Sequence, residues 1–159
     1  MKDQMPFFYE TEVEWAGERR GQLRSPNLPA LEVAAPPEFQ GHEGSWTPEH
    51  LFVASVASCY MTTFLAIASN SKLEVVSFCI GAKGKLKKVE GGGFQITEVV
   101  LKPSVVVGSA RELDRAARIV EKAEKHCFVS NSIKTVVKLE PEIYTEGNPV
   151  YPGCPVVPG

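Results

Sequence analysis

From Phe7 to Trp15 the chain alternates, with Phe7, Tyr9, Thr11, Val13 and Trp15 on one side and Glu10, Glu12 and Glu14 on the other. That period of two predicts a half-buried strand. The turn-rich run Gly17-Glu18-Arg19-Arg20-Gly21 predicts a reversal into a short strand over 22–24. A third strand follows over 30–35, stopped by Pro36-Pro37, so the chain opens as an antiparallel meander. After the loop PEFQGHEGSW, Thr47-Pro48-Glu49 reads as a helix start: a capping hydroxyl, a proline in the first turn and a carboxylate at the positive end of the helix dipole. The uncharged stretch LFVASVASCYMTTFLAIA, residues 51–68, is apolar nearly all round and predicts a buried central helix. A membrane span is the weaker reading, given its hydroxyl residues and the lack of basic flanks.

Beyond this helix, residues 73–87 and 94–107 are rich in strand formers, and VEGGGF between them predicts a hairpin turn. Ser109-Ala110-Arg111-Glu112 has the form of a capping box. It leads into a second helix whose Leu113, Ala116, Ala117, Val120, Ala123 and Cys127 repeat along one face. A last strand over 133–143 precedes the proline-rich tail EGNPVYPGCPVVPG, which cannot hold regular structure. The order βββ-α-ββ-α-β is an α+β fold with two central helices packed on an antiparallel sheet. It is read as a single domain over 1–145 with an irregular tail over 146–159.

With 159 residues, 43% of them apolar, the chain can build a real core. A formal net charge of −2 with scattered Lys and Arg gives no electrostatic footprint for nucleic acid or an anionic membrane. The acidic N-terminus lacks the apolar run and cleavage site of a signal peptide, so a cytoplasmic protein is expected. Four cysteines, Cys59, Cys79, Cys127 and Cys154, contain no CxxC and predict no structural disulfide framework. Cys79 and Cys154 read as structural or incidental thiols. His50 and His126 lack metal-ligand spacing, and no metal site is expected.

Cys59 lies in the middle of the first helix and Cys127 continues the register of the second, so both face where two helices would pack. Each is either a small buried hydrophobe or half of a reactive pair. Reactivity needs the thiolate, and hence a stabilising cation. Arg19 and Arg20, in a glycine-flanked turn, are the candidates, and Glu49 is a plausible carboxylate partner for either guanidinium.

The segments TPEHLFVASVASCYMT and KAEKHCFVSN resemble those of the osmotically inducible protein C and organic hydroperoxide resistance protein (OsmC/Ohr) family. The first is similar to the family's helix that opens on Asn-Pro-Glu and carries a cysteine, the second to its A-H-x-x-C-P-x-S-N segment. The resemblance runs from about Phe7 to Ile143. It implies an intertwined homodimer and a thiol-dependent peroxidase in which Cys59 attacks an organic hydroperoxide and Cys127 resolves the sulfenic acid as a disulfide. It further implies Glu49 as the family's acidic residue and an activating arginine within WAGERRGQL, where aligning on Gly17 selects Arg19 and aligning on Gly21 selects Arg20. Arg19 is preferred. No cofactor is implied, and a dithiol or lipoyl-type reductant would reset the pair. Phe52, Val56, Tyr60 and Phe64 are expected to line an apolar substrate site. Thr47 stands where the family has Asn, and Phe128 where it has Pro. The alternative is a member of the fold that binds small molecules with little or no turnover.

Overall fold

A computed structural model of the chain describes residues 4–154. Its strands are β1 (Glu12–Trp15), β2 (Arg20–Arg24), β3 (Leu31–Ala34), β4 (Val75–Lys88), β5 (Phe94–Val107), β6 (Val136–Leu139) and β7 (Glu142–Thr145), and its helices are α1 (Pro48–Asn70) and α2 (Leu113–His126). This is the expected α+β class, and the expected order holds as far as α2. The chain divides between Leu51 and Phe52 into two compact units.

In the first unit, β1, β2 and β3 form the expected antiparallel meander, with Val13 opposite Leu23 and Gly21 opposite Val33. The first strand is shorter than its alternation predicts, and all four of its residues are exposed. Phe7, Phe8 and Tyr9, at 77, 83 and 92% exposure, precede it without strand structure. The alternation assigns the faces of a strand, but a three-stranded meander supplies no second layer of its own to cover one. The loop after β3 closes tightly: Gly41 N–H donates to Pro36 O and His42 N–H to Ala35 O, both at 3.0 Å. A Cβ at Gly41 would lie 1.6 Å from the Ala35 carbonyl oxygen, so only glycine fits.

Helix α1 starts where its sequence signals it. The Thr47 hydroxyl oxygen accepts from His50 N–H at 3.1 Å and lies 2.7 Å from His50 Nδ1, so it caps the helix and engages the imidazole at once. By length and composition α1 could cross a membrane, with 23 residues and a mean hydropathy of 1.9. In the fold it is the core helix of the second unit, burying Val56, Tyr60, Phe64 and Ala68 at steps of four. Burial is nevertheless one-sided, and Leu65 on another face is 40% exposed. The all-round burial expected for this run is not met within one chain.

β4 and β5 form a long antiparallel hairpin turned by Gly91 and Gly92, both at positive φ. The expected single last strand is instead two, β6 and β7, both parallel to β5. Pro141, which has no N–H to donate, lies in the break between them. The sheet is therefore mixed rather than wholly antiparallel. Gly84 on β4 lies under α1, where an added Cβ would come within 2.4 Å of Val53.

α2 follows a 3₁₀ turn, Ala110–Glu112, that makes no side-chain cap hydrogen bond at Ser109. The expected capping box is thus absent, and the Glu112 carboxylate instead pairs with Arg115 at 2.8 Å. α2 buries Ala116, Ile119, Val120 and Ala123. Ala117, expected on this face, is exposed, and Ile119 takes its place. The helices meet where the Tyr60 hydroxyl donates to Val120 O at 3.0 Å, and Phe64 stacks on Phe78 of β4 with centroids 4.9 Å apart.

Candidate functional site

On α1, Cys59 precedes the fully buried Tyr60 by one position, about 100° around the helix. This rotates its thiol away from the core stripe and leaves it half-buried. α2 ends at His126, and Cys127 leaves the helix with extended backbone, φ −68° and ψ 116°. The chain then curls back on itself: Asn131 N–H donates to Cys127 O at 3.1 Å, Asn131 Nδ2 to Lys125 O at 3.0 Å, and the Ser132 hydroxyl to Phe128 O at 2.7 Å. This turn fixes the amides that follow Cys127 against the sulfur of Cys59.

The two sulfurs are brought within hydrogen-bonding reach of each other, and their surroundings are unequal. Burial pushes the Cys59 thiol up, but hydrogen bonds outweigh it. The donors are Val129 N–H, the Cys127 thiol, Phe128 N–H and the Thr63 hydroxyl, and the net shift is below the ordinary thiol range. Cys127 moves the other way. It is fully buried, and that burial raises it. The Ser130 hydroxyl and amide oppose the rise, and the neighbouring Cys59 adds to it. Of the pair, Cys59 is the better thiolate.

A cleft of about 390 Å³ opens onto Cys59, lined by Thr62, Thr63, Ala66, Ile67, Lys122, His126 and Phe128. Its walls are mostly hydrocarbon and hydroxyl, with two basic side chains among them. Cys127 does not line it. An incoming molecule therefore meets Cys59 first, with Cys127 behind.

Val56, Tyr60 and Phe64, expected along the substrate site, are instead fully buried in the core. Phe52 packs against that core. The correction follows from helical phase: residues 56, 60 and 64 share a face that Cys59 does not. Thr62, Thr63 and Ala66, three, four and seven positions after Cys59, are the ones that share its side.

Arg19 lies in the turn before β2, donating from Nη1 to Phe39 O at 2.7 Å and from Nη2 toward Gln40 Oε1 at 3.4 Å. Arg20 Nη2 lies 3.1 Å from His42 Nδ1, and His42 Nε2 lies 3.1 Å from Glu18 Oε2. An arginine donor makes Nδ1 the acceptor, so the imidazole carries its proton on Nε2 and passes a hydrogen bond to Glu18. His42, which carried no signal in the sequence, thus links Arg20 to Glu18. Glu49 stands in the first turn of α1. It forms no ion pair with Arg19 or Arg20, contrary to expectation, because Arg19 is engaged by the loop after β3 and Arg20 by His42. Glu49 Oε2 is buried without a hydrogen-bond partner among the described residues. Among those residues no group of three or more His, Cys, Asp and Glu side chains could hold a metal ion.

The sequence reading missed Thr63 and the amides of residues 128 and 129. Thr63 had a signal, a hydroxyl one turn beyond Cys59. A backbone N–H has none.

Residues 41–142 match the family model described as OsmC-like protein. The chain is 28% identical over 135 residues to the uncharacterized protein YmaD of Bacillus subtilis (strain 168), covering 82% of this chain and 89% of that one. Among solved structures it is similar to an OsmC-like protein of unknown function from Vibrio cholerae, with TM-score 0.79, 27% identity and coverage of 86% of this chain and 99% of the other. It is also similar to a protein from Legionella pneumophila described as an organic hydroperoxide resistance protein OsmC and predicted redox protein. That match has TM-score 0.69 and 26% identity, covering 87% and 99%.

Proposed function

We propose, from the premise that the chain belongs to the OsmC-like protein family, that it is a thiol-dependent peroxidase reducing organic hydroperoxides to alcohols. The observation that carries this reading is the asymmetric pair: Cys59 faces the cleft with its thiol shifted down, and the buried Cys127 lies against it with its thiol shifted up. The Legionella protein's description as an organic hydroperoxide resistance protein supports the substrate class.

Cys59 thiolate attacks the distal oxygen of the hydroperoxide. The O–O bond breaks, the alkoxide leaves as the alcohol after taking a proton, and Cys59 becomes a sulfenic acid. Cys127 sulfur then attacks the Cys59 sulfur, and the hydroxide displaced takes up the Cys127 proton and departs as water. The pair ends as a disulfide, two electrons having passed from sulfur to oxygen, and an external dithiol returns it to two thiols. The amides of residues 128 and 129 stabilise the thiolate in the resting state. Thr62 and Thr63 offer hydroxyls near the reacting oxygens, while Ala66, Ile67 and Phe128 provide apolar surface for an organic substituent rather than for hydrogen peroxide. From the family resemblance Arg19, with Arg20 as the alternative, is carried as the guanidinium that stabilises the thiolate and the leaving oxygen, and Glu49 as the carboxylate that holds it, a pairing that neither arginine makes in this structure.

The test follows loss of cumene hydroperoxide in the presence of dihydrolipoamide for wild type, Cys59→Ser and Cys127→Ser. Cys59→Ser is expected to lose turnover. Cys127→Ser is expected to accumulate a Cys59 sulfenic acid, trapped by dimedone. Equal rates in all three would leave a small-molecule-binding protein and remove the peroxidase.

A further inference from the structure

Cys79 and Cys154, read from the sequence as incidental, come together on the outer face of the sheet. Cys79 lies on β4 opposite Ser104 of β5. Its neighbours Phe78 and Ile80 turn toward the helices and pack against the core, so Cys79 points the other way. Ser104 is in turn opposite Glu142, and Val106 opposite Tyr144, on β7. Ser104 and Val106 on this outer face are only 6% and 5% exposed.

The tail after β7 crosses this face by specific contacts. Asn148 starts a turn, accepting from Val150 N–H at its side-chain oxygen (2.9 Å) and from Tyr151 N–H at its carbonyl (3.1 Å). The Tyr151 ring lies 5.1 Å from that of Tyr144, and its hydroxyl is 3.4 Å from the Ser77 hydroxyl. Pro152 and Gly153 then line a groove with Pro103, Ser104 and Pro141. The next residue, Cys154, is exposed, and its thiol is within hydrogen-bonding reach of the Cys79 sulfur.

We infer that Cys79 and Cys154 form a second, reversible disulfide that fastens the C-terminal tail to the outer face of the sheet. Burial and the adjacent Cys154 thiol push Cys79 up to about 11, so Cys79 is protonated at neutral pH and the exposed Cys154 meets an oxidant first. With an organic hydroperoxide, Cys154 sulfur takes the distal oxygen, the O–O bond breaks and an alcohol leaves. Cys79 sulfur then displaces hydroxide from the Cys154 sulfenic acid, and its proton goes into the water formed. The sum is two thiols and one hydroperoxide giving one disulfide, one alcohol and one water.

The experiment uses a Cys59→Ser/Cys127→Ser variant, so its outcome does not depend on the peroxidase reading. One arm adds stoichiometric cumene hydroperoxide, and the other equilibrates the protein in glutathione and glutathione disulfide buffers. Peptide mapping without reduction is expected to recover a Cys79–Cys154 link within one chain in both arms. Amide exchange over residues 148–154 should slow at least tenfold on oxidation, and Cys154→Ser should abolish both effects. Oxidation that ends in Cys154 sulfinic acid, a glutathione adduct or a Cys154–Cys154 link between chains, with Cys79 still open to alkylation, would overturn the inference.

Discussion

At the scale of single residues, Phe128 stands where the family resemblance leads one to expect proline, and its N–H is one of the donors to the Cys59 sulfur. A proline there has no N–H to give. Phe128→Pro should therefore move the Cys59 thiol upward and leave less thiolate below its titration range. Alkylation of Cys59 by iodoacetamide at pH 6.5 is expected to slow roughly tenfold, the size of one hydrogen bond to a charged group at about 1.5 kcal/mol. The gap should close once the pH exceeds the titration range of both proteins, and a constant ratio across pH would rule out this role for the amide. The two cysteines were readable as a pair from the segments TPEHLFVASVASCYMT and KAEKHCFVSN that carry the family resemblance, and not from helical phase, since Cys59 lies off the core stripe of α1. The groups that make one more acidic than the other were not, because they are amides fixed by a chain reversal after α2, and a backbone N–H is the same at every non-proline position.

Among the elements, local signals located starts and turns well and failed where pairing or phase decided. Thr47 and Ser109 look alike in sequence, each a hydroxyl residue ahead of an acidic one and an apolar run. Thr47 caps α1 and is almost fully buried, whereas Ser109 makes no cap hydrogen bond because a 3₁₀ turn intervenes before α2. Thr47→Ala should lower stability by about 1 kcal/mol, and Ser109→Ala by no more than a few tenths, as read from urea midpoints at constant m-value. Equal losses would mean that the difference at the caps does not carry through to stability. The direction of β6 and β7 was beyond local reading, since strand direction is set by a partner far away in sequence. Pro141 lies in the break between them, and the single strand expected over 133–143 ran across it. The substrate-lining residues were misassigned for a related reason: an almost wholly apolar helix carries no polar phase from which to tell its core face from its cleft face.

For the whole molecule, the unexplained observation is apolar surface. Phe7, Phe8, Tyr9, Val13 and Trp15 are more than 60% exposed, and α1 is covered on one side only. Exposed aromatic groups on this scale mark an interaction surface. The expected partner is a second copy of the chain. Sedimentation equilibrium should give twice the 17.4 kDa chain mass, and Phe7→Ser/Tyr9→Ser should shift the equilibrium toward single chains. A chain mass that stays at the monomer value across micromolar concentrations would refute the dimer. The order of the cysteines carries a further consequence for biosynthesis. Each close thiol pair joins an early cysteine to a late one, Cys59 to Cys127 and Cys79 to Cys154, and β4 closes on β5 through a short turn while β6 pairs only after α2 is made. A nascent chain halted after β5 holds Cys59 and Cys79 alone, one on the helix side of the sheet and the other on its outer face. Oxidation at that moment finds neither thiol beside its late partner, so each pair can close only after α2, β7 and the tail have been made.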